Sequence, residues 1–112
     1  MFIEPPPNNE DDLYLWLKKL QERLIQDDLK GSATWNPGSI ADGDEETTTV
    51  TVTGAVVGDY AIASFSVDVA DLTLDAQVTA ADTVTCVLSN NTGGAVDLAE
   101  GTVYARVFRR TT

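Results

Sequence analysis

Apolar and polar positions follow two different patterns along this chain, and the patterns meet near Gly31. Before Gly31, leucines recur every three or four residues, whereas after it apolar and polar residues alternate in short runs separated by Gly, Pro, Asn and Asp. The first pattern is typical of an amphipathic helix and the second of antiparallel strands. We therefore predict a mainly β fold, in which a short N-terminal α-helix (unit 1–31) precedes an antiparallel β-sandwich or jelly-roll-like domain (unit 32–112).

The helix is predicted over residues 10–30. Asn8 and Asn9 can accept hydrogen bonds from the free N–H groups of its first turn, the acidic residues at 10–12 suit the positive end of its dipole, and Gly31 is a plausible stop. Residues 4–7 read Glu-Pro-Pro-Pro and favour a stiff, extended polyproline arm before the helix.

A leucine seam runs along this helix, and Trp16 widens it. The seam consists of Leu13, Leu17, Leu20 and Leu24. Two heptads are too few for a stable coiled coil, so the seam needs a further surface. It packs either on the chain's own β-domain or, as we predict, on the seams of other copies.

The β-domain is predicted to contain six to eight short strands. The clearest runs are 47–53, 60–66, 72–79, 83–89, 96–98 and 102–110. No helix is available for a parallel crossover, and the spacing of the turns favours a sandwich over a barrel. The last strand should place Val103, Ala105 and Val107 on one face, and on the other Tyr104, Arg106 and Phe108.

Charge and composition exclude several function classes. With 7 basic and 18 acidic residues the net charge is −11, which disfavours nucleic acid and anionic membranes as partners. No apolar run is long enough to span a bilayer, and the N-terminal residues lack the features of a secretory signal, so we expect synthesis in the cytoplasm. The chain has no histidine and only one cysteine, Cys86, which we predict to be buried. We therefore expect no enzymatic activity, no cofactor and no metal.

Carboxylates offer the remaining routes to chemistry. Asp68, Asp71 and Asp75 are close enough in sequence for a glycosidase-like pair, and the acidic loop at 42–46 has oxygen ligands suited to calcium. Paired-carboxylate catalysis requires a buried acid, and both clusters fall on predicted loops or solvent faces. We favour solvated acids at both places.

Arginine is concentrated in the last strand, beside aromatic residues. Tyr104, Arg106 and Phe108 are typical of a protein interface, and the alternatives are a solvated strand end or stacking on single-stranded nucleic acid, which the net charge disfavours. Glycan binding, with Trp35 or Tyr60 as a stacking platform, is a further alternative.

Seven segments of the β-domain together resemble a known pattern of turns and strands. They begin with A-T-W-N-P-G-S-I-A-D-G at 33–43 and continue at 47–55, 58–60, 63–66, 80–85, 91–98 and 102–107. This order resembles the β-domain of tailed-bacteriophage virion structural proteins, a family of capsid decoration, head-fibre and appendage proteins. The resemblance covers most of the chain but includes no catalytic signature.

The resemblance implies a virion component, often a homotrimer, on the head surface or in an appendage. The short chain suits a capsid decoration or head-fibre base protein whose partners are other copies and the major capsid protein or another virion protein. In this interpretation residues 1–9 dock in a groove of the shell, through Phe2, Ile3, Pro5, Pro6 and Pro7. The alternative is a small tail-tip or fibre module that binds a host glycan.

Overall fold

The computed structural model describes residues 13–19 and 29–111. Residues 13–19 are helical, and residues 29–111 contain eight strands joined by turns and loops. The strands are β1 (Leu29–Trp35), β2 (Gly38–Ile40), β3 (Glu45–Thr51), β4 (Tyr60–Phe65), β5 (Thr73–Ala80), β6 (Thr83–Ser89), β7 (Val96–Leu98) and β8 (Gly101–Phe108). No described helix is long and apolar enough to cross a membrane.

The domain contains two three-stranded antiparallel sheets, with strand orders β1-β8-β4 and β3-β6-β5, and a small two-stranded sheet of β2 and β7. The edge strands of the two large sheets approach each other, β4 next to β5 and β1 next to β3. The predicted mainly β, sandwich-like fold is confirmed, with antiparallel pairing throughout the described sheets.

The core lies between the two large sheets and follows the period of two in the sequence. Alternate residues of β6 and β8 point inward, and several side chains there are no more than 1% exposed: Val84, Cys86, Leu88, Val103 and Val107. Cys86 is buried, as the sequence predicts. Trp35 is 6% exposed and packs edge-to-face on Phe65, with ring centroids 5.6 Å apart.

The predicted helix end is wrong, because Leu29 and Lys30 belong to β1. Leu29 is 7% exposed and pairs with Val107, so the alternation of buried and exposed residues already begins there. The β-domain thus starts at Leu29, three residues before the expected boundary at Ser32.

Gly31 is a strand residue and not the stop of the helix. A Cβ atom at this position would collide with the carbonyl oxygen of Thr51 and lie 3.2 Å from the Cγ1 atom of Val50. Glycine is therefore required by the close approach of β1 to β3, a role that a helix-stop interpretation misses.

Candidate interaction surface

The outer face of the β1-β8-β4 sheet exposes four large apolar or aromatic side chains. Their exposed fractions are 59% for Tyr60, 57% for Ile62, 49% for Tyr104 and 46% for Phe108. We call this face the aromatic face. It results from strand alternation, since β4 and β8 turn Ala61, Ala63 and their other small or buried neighbours toward the core.

Pairing places the side chains of the aromatic face in rows across the sheet. Tyr60 is opposite Phe108 in the first row. Arg106 lies in the second row, between Ile62 and Lys30. In the third row Tyr104 lies between Ser64 and Ser32. Aromatic and cationic rows therefore alternate along the strands.

Arg106 lies over the ring of Phe108, with the guanidinium carbon 5.3 Å from the ring centroid. This is the range of a cation–π interaction, in which the negative face of the ring attracts the cation. The contact positions the arginine stem along the sheet and keeps its charge beside the exposed rings.

An open groove of about 480 Å³ crosses the second and third rows. Its lining includes Lys30, Ile62, Ser64, Tyr104 and Arg106. Because long basic side chains can cover apolar surface with their methylene stems, an apolar floor with charged margins is expected of such a lining. The groove suits an extended apolar or aromatic segment better than a compact polar ligand.

The outer face of the β3-β6-β5 sheet differs in chemistry. It also has a groove, of about 440 Å³, but polar and acidic side chains predominate in its lining, among them Glu45, Asp75, Gln77, Thr79 and Thr85. None of the large exposed hydrophobic residues in the described part of the chain lies on this face. The two sides of the sandwich therefore favour different partners.

Charge is also distributed unevenly within the described β-domain. The cationic side chains of residues 29–111 are Lys30, Arg106, Arg109 and Arg110, all at or near the end where β1 begins and β8 ends. No carboxylate is among the outward-facing residues of the described β1, β4 and β8 strands. The aromatic face thus carries the cationic side chains Lys30 and Arg106 on a chain of net charge −11.

The predicted interface residues are only partly within the described structure. Tyr104, Arg106 and Phe108 lie together on the aromatic face, which Tyr60 and Ile62 complete. In the helical residues 13–19, Leu13 is 36% exposed, Leu17 is 50% exposed and Trp16 is half-buried, and none of the three belongs to the β-domain core. Outside the described residues lie Leu20, Leu24, Phe2, Ile3, Pro5, Pro6 and Pro7.

Sequence reasoning missed the role of Ile62. Large and small residues alternate in β4, and such alternation does not show which set faces the core. Trp35, one of two suggested sugar platforms, is buried, so of that pair only Tyr60 is accessible.

The acidic residues considered for catalysis or calcium binding are exposed, and several organise turns. Asp68 accepts a hydrogen bond from the N–H of Ala70 at 3.0 Å, and Asp42 accepts one from the N–H of Gly93 at 3.0 Å. Among the described residues, no three His, Cys, Asp or Glu side chains are grouped so that they could hold a metal ion.

Asn90 is a structural residue that the pattern of the sequence does not single out. Its side chain is fully buried, and its Nδ2 atom donates to the carbonyl oxygens of Ile40 at 2.7 Å and Gly94 at 2.8 Å. Its Oδ1 atom accepts from the backbone N–H of Thr92 at 3.0 Å and from the Thr92 hydroxyl at 2.8 Å. The residue therefore ties the end of β2 to the loop after β6.

No protein-family model matches the chain, and a search of curated proteins found none that is significantly similar to it.

Proposed function

We propose that this chain is a non-enzymatic structural protein of a tailed-bacteriophage particle. In this proposal it associates as a homotrimer, binds the assembled head shell through the major capsid protein or another virion protein, and stabilises the shell. The β-domain resemblance supports the phage context, and the aromatic face is the observation that supports an assembly role.

The aromatic face supports this role because monomeric proteins rarely leave large apolar side chains clustered in the open. Contiguous exposed apolar patches larger than a few hundred Å² usually mark an interaction site. Tyr60, Ile62, Tyr104 and Phe108 are each about half exposed on one continuous sheet surface. Aromatic residues and arginine are also the types enriched at protein interfaces.

Exposure of the helical segment supports self-association in the same way. Leu13, Tyr14, Leu15 and Leu17 are all at least 36% exposed, so the described part of the seam is not covered by the β-domain. Packing between copies would remove this apolar surface from water. The proposal therefore favours seam packing between copies over packing within one chain.

Stabilisation of the shell follows from mass action. A protein that binds the assembled shell and not its separate subunits shifts the equilibrium toward assembly, by about 2.7 kcal/mol per site when its free concentration is a hundred times the dissociation constant. This mechanism requires no catalytic group.

Two measurements test the proposal. Light scattering should give a mass three times the 12.0 kDa of one chain. Particles of the phage that encodes this chain should lose head integrity at a lower temperature when the protein is deleted, and added purified protein should restore it. Unchanged integrity of the deleted particles would refute the stabilising role.

Glycan binding is the second candidate function, and the exposed rings of Tyr60 and Tyr104 favour it. Sugar rings present apolar C–H surfaces that pack on aromatic side chains. Titration of purified protein with host surface glycans, with Tyr60→Ala as the variant, separates the two candidates. A host-range change on deletion, without loss of head integrity, would favour the glycan-binding module.

A further inference from the structure

We propose that the aromatic face binds the proline-containing segment 2–7 of a neighbouring copy. This inference deepens the proposed function and rests on it, because the proposed function supplies the neighbouring copies. It assigns these residues a target on the chain itself, where the sequence alone suggested a groove in the shell.

The chemistry of segment 2–7 matches the groove. The segment reads Phe-Ile-Glu-Pro-Pro-Pro, with two large apolar residues and one acid. Proline-rich segments in the polyproline conformation characteristically dock on aromatic-lined grooves, because their rigid backbone loses little entropy on binding. Tyr60, Tyr104 and Phe108 supply the exposed rings, and the groove beside Ile62 supplies an apolar floor.

The dimensions also match. Six residues in the polyproline conformation are about 19 Å long. Along β8 the outward-facing positions from Thr102 to Phe108 span about 20 Å. One segment can therefore run the length of the aromatic face.

Charge selects this partner over another copy of the same face. Two aromatic faces packed together would bring Lys30 and Arg106 of one copy toward those of the other, whereas segment 2–7 carries Glu4 and is followed by three acids at 10–12. Opposite charges attract more strongly at the edge of an apolar groove than in open water. The cationic side chains of the aromatic face and the acidic residues of the arm are thus of complementary charge.

Proline also decides how the segment binds. Residues 5–7 have no backbone N–H, so they cannot extend a sheet by pairing with an edge strand. Packing across a sheet face requires no such donors. The segment is expected to lie on the face and not along β1 or β4.

The length of the chain favours a segment that comes from a second copy. The sequence predicts a helix from residue 10, and if that helix continued to the start of β1 at Leu29 it would be about 28 Å long. Residue 2 precedes residue 10 by eight residues, which reach back only about 25 Å in the polyproline conformation. In that arrangement residue 2 would not reach Leu29 of its own chain. The groove lies further along the sheet, beside residues 30–32 of β1.

Photo-crosslinking in the full chain tests the proposal. Phe2 is replaced by benzoyl-phenylalanine, and equal amounts of ordinary and ¹⁵N-labelled chain are mixed, irradiated and mapped by mass spectrometry. We expect crosslinks from position 2 to residues of β4 or β8, about half of them joining a light chain to a heavy one. Crosslinks to other surfaces, or crosslinks within single chains only, would overturn the proposal.

Two variants provide the matched comparison. Ile62→Asp adds a carboxylate to the groove floor and should lower the crosslink yield about tenfold, as expected for the loss of one well-packed apolar contact. Thr49→Asp adds the same charge to an exposed position of β3, on the other sheet, and should leave the yield unchanged. Equal yields for the two variants would place segment 2–7 elsewhere.

Failure of this inference is distinguishable from failure of the proposed function. If the crosslinks map elsewhere while the chain still forms trimers and protects heads, only the binding of segment 2–7 to the aromatic face is refuted. If the crosslinks map to the aromatic face while deletion leaves head integrity unchanged, the binding of segment 2–7 between copies is supported and the shell-stabilising role is refuted.

Discussion

Replacement of Asn90 should destabilise the β-domain more than replacement of any exposed loop residue. In Asn90→Ala, the carbonyl oxygens of Ile40 and Gly94 lose their Nδ2 donor, and the N–H of Thr92 loses its acceptor. The Ile40 bond is buried, and an unsatisfied buried carbonyl costs about 1–3 kcal/mol. Thr92 is exposed, and its backbone N–H can bond to water instead. Loss of the hydrogen bond from this N–H to Asn90 therefore adds only about 0.5–1 kcal/mol.

The sum is a decrease of about 1.5–4 kcal/mol in the free energy of unfolding, a large part of the total stability of a small domain. Urea unfolding followed by circular dichroism measures it. Asn91→Ala is the control, because Asn91 is adjacent but exposed. If the midpoints of the two variants agree, with equal denaturant dependence, Asn90 does not tie β2 to the β6–β7 loop.

Asn90→Asp tests the same bonds through pH. A carboxylate has the shape of the amide but cannot donate to Ile40 and Gly94, so burial should raise the pKa of the new acid in the folded state. A raised folded-state pKa means that the penalty relative to wild type is small below about pH 4 and grows as the pH rises through the folded-state value. A pH-independent difference from wild type would contradict this account.

Three further predictions concern the strands and turns. Gly31→Ala should lower the melting temperature by about 10 °C or more, because the new methyl group meets the backbone of Thr51 at the β1–β3 approach. Ala70→Asn should raise the free energy of unfolding by about 0.5–1 kcal/mol, because Ala70 and Asp71 occupy the two positive-φ positions of a turn (φ 50° and 71°) where asparagine is better tolerated. Burial raises the pKa of the Cys86 thiol above its ordinary value, so the native protein should not react with a thiol reagent at neutral pH. The free energy of unfolding should also decrease as the pH rises above about 8.5, because the unfolded chain loses its thiol proton at a lower pH than the folded one.

The alternation in β6 and β8 could be predicted from the sequence because each strand has its apolar and polar residues on separate faces. Val84, Cys86 and Leu88 point inward as predicted, and so do the alternate residues of β8. The fold class followed from the same pattern. The helix end could not be predicted, because Leu29 continues the leucine-rich composition of the preceding segment while Gly31 resembles a stop signal.

The aromatic face is the part of the candidate site that alternation alone could not locate. In β4 the small residues Ala61 and Ala63 face the core, and Tyr60 and Ile62 face outward. The space between the sheets is already occupied by large side chains from the opposite sheet, including Val50 and Leu88, which are fully buried. At the positions of Ala61 and Ala63, close packing leaves room only for small side chains, so Tyr60 and Ile62 remain on the outside, whereas Phe65 at the end of β4 packs inward on Trp35.

The outward position of Tyr60 and Ile62 on β4 indicates that these residues contact a partner. If Tyr60 and Ile62 served only the stability of one chain, the apolar side of β4 would be expected to face the core, as it does in β6 and β8. Removing their exposed halves from water requires a second surface, and the free energy gained is roughly proportional to the apolar area covered. The positive charge of Lys30 and Arg106 beside them makes an acidic apolar segment the better match, which is the chemistry of residues 2–7.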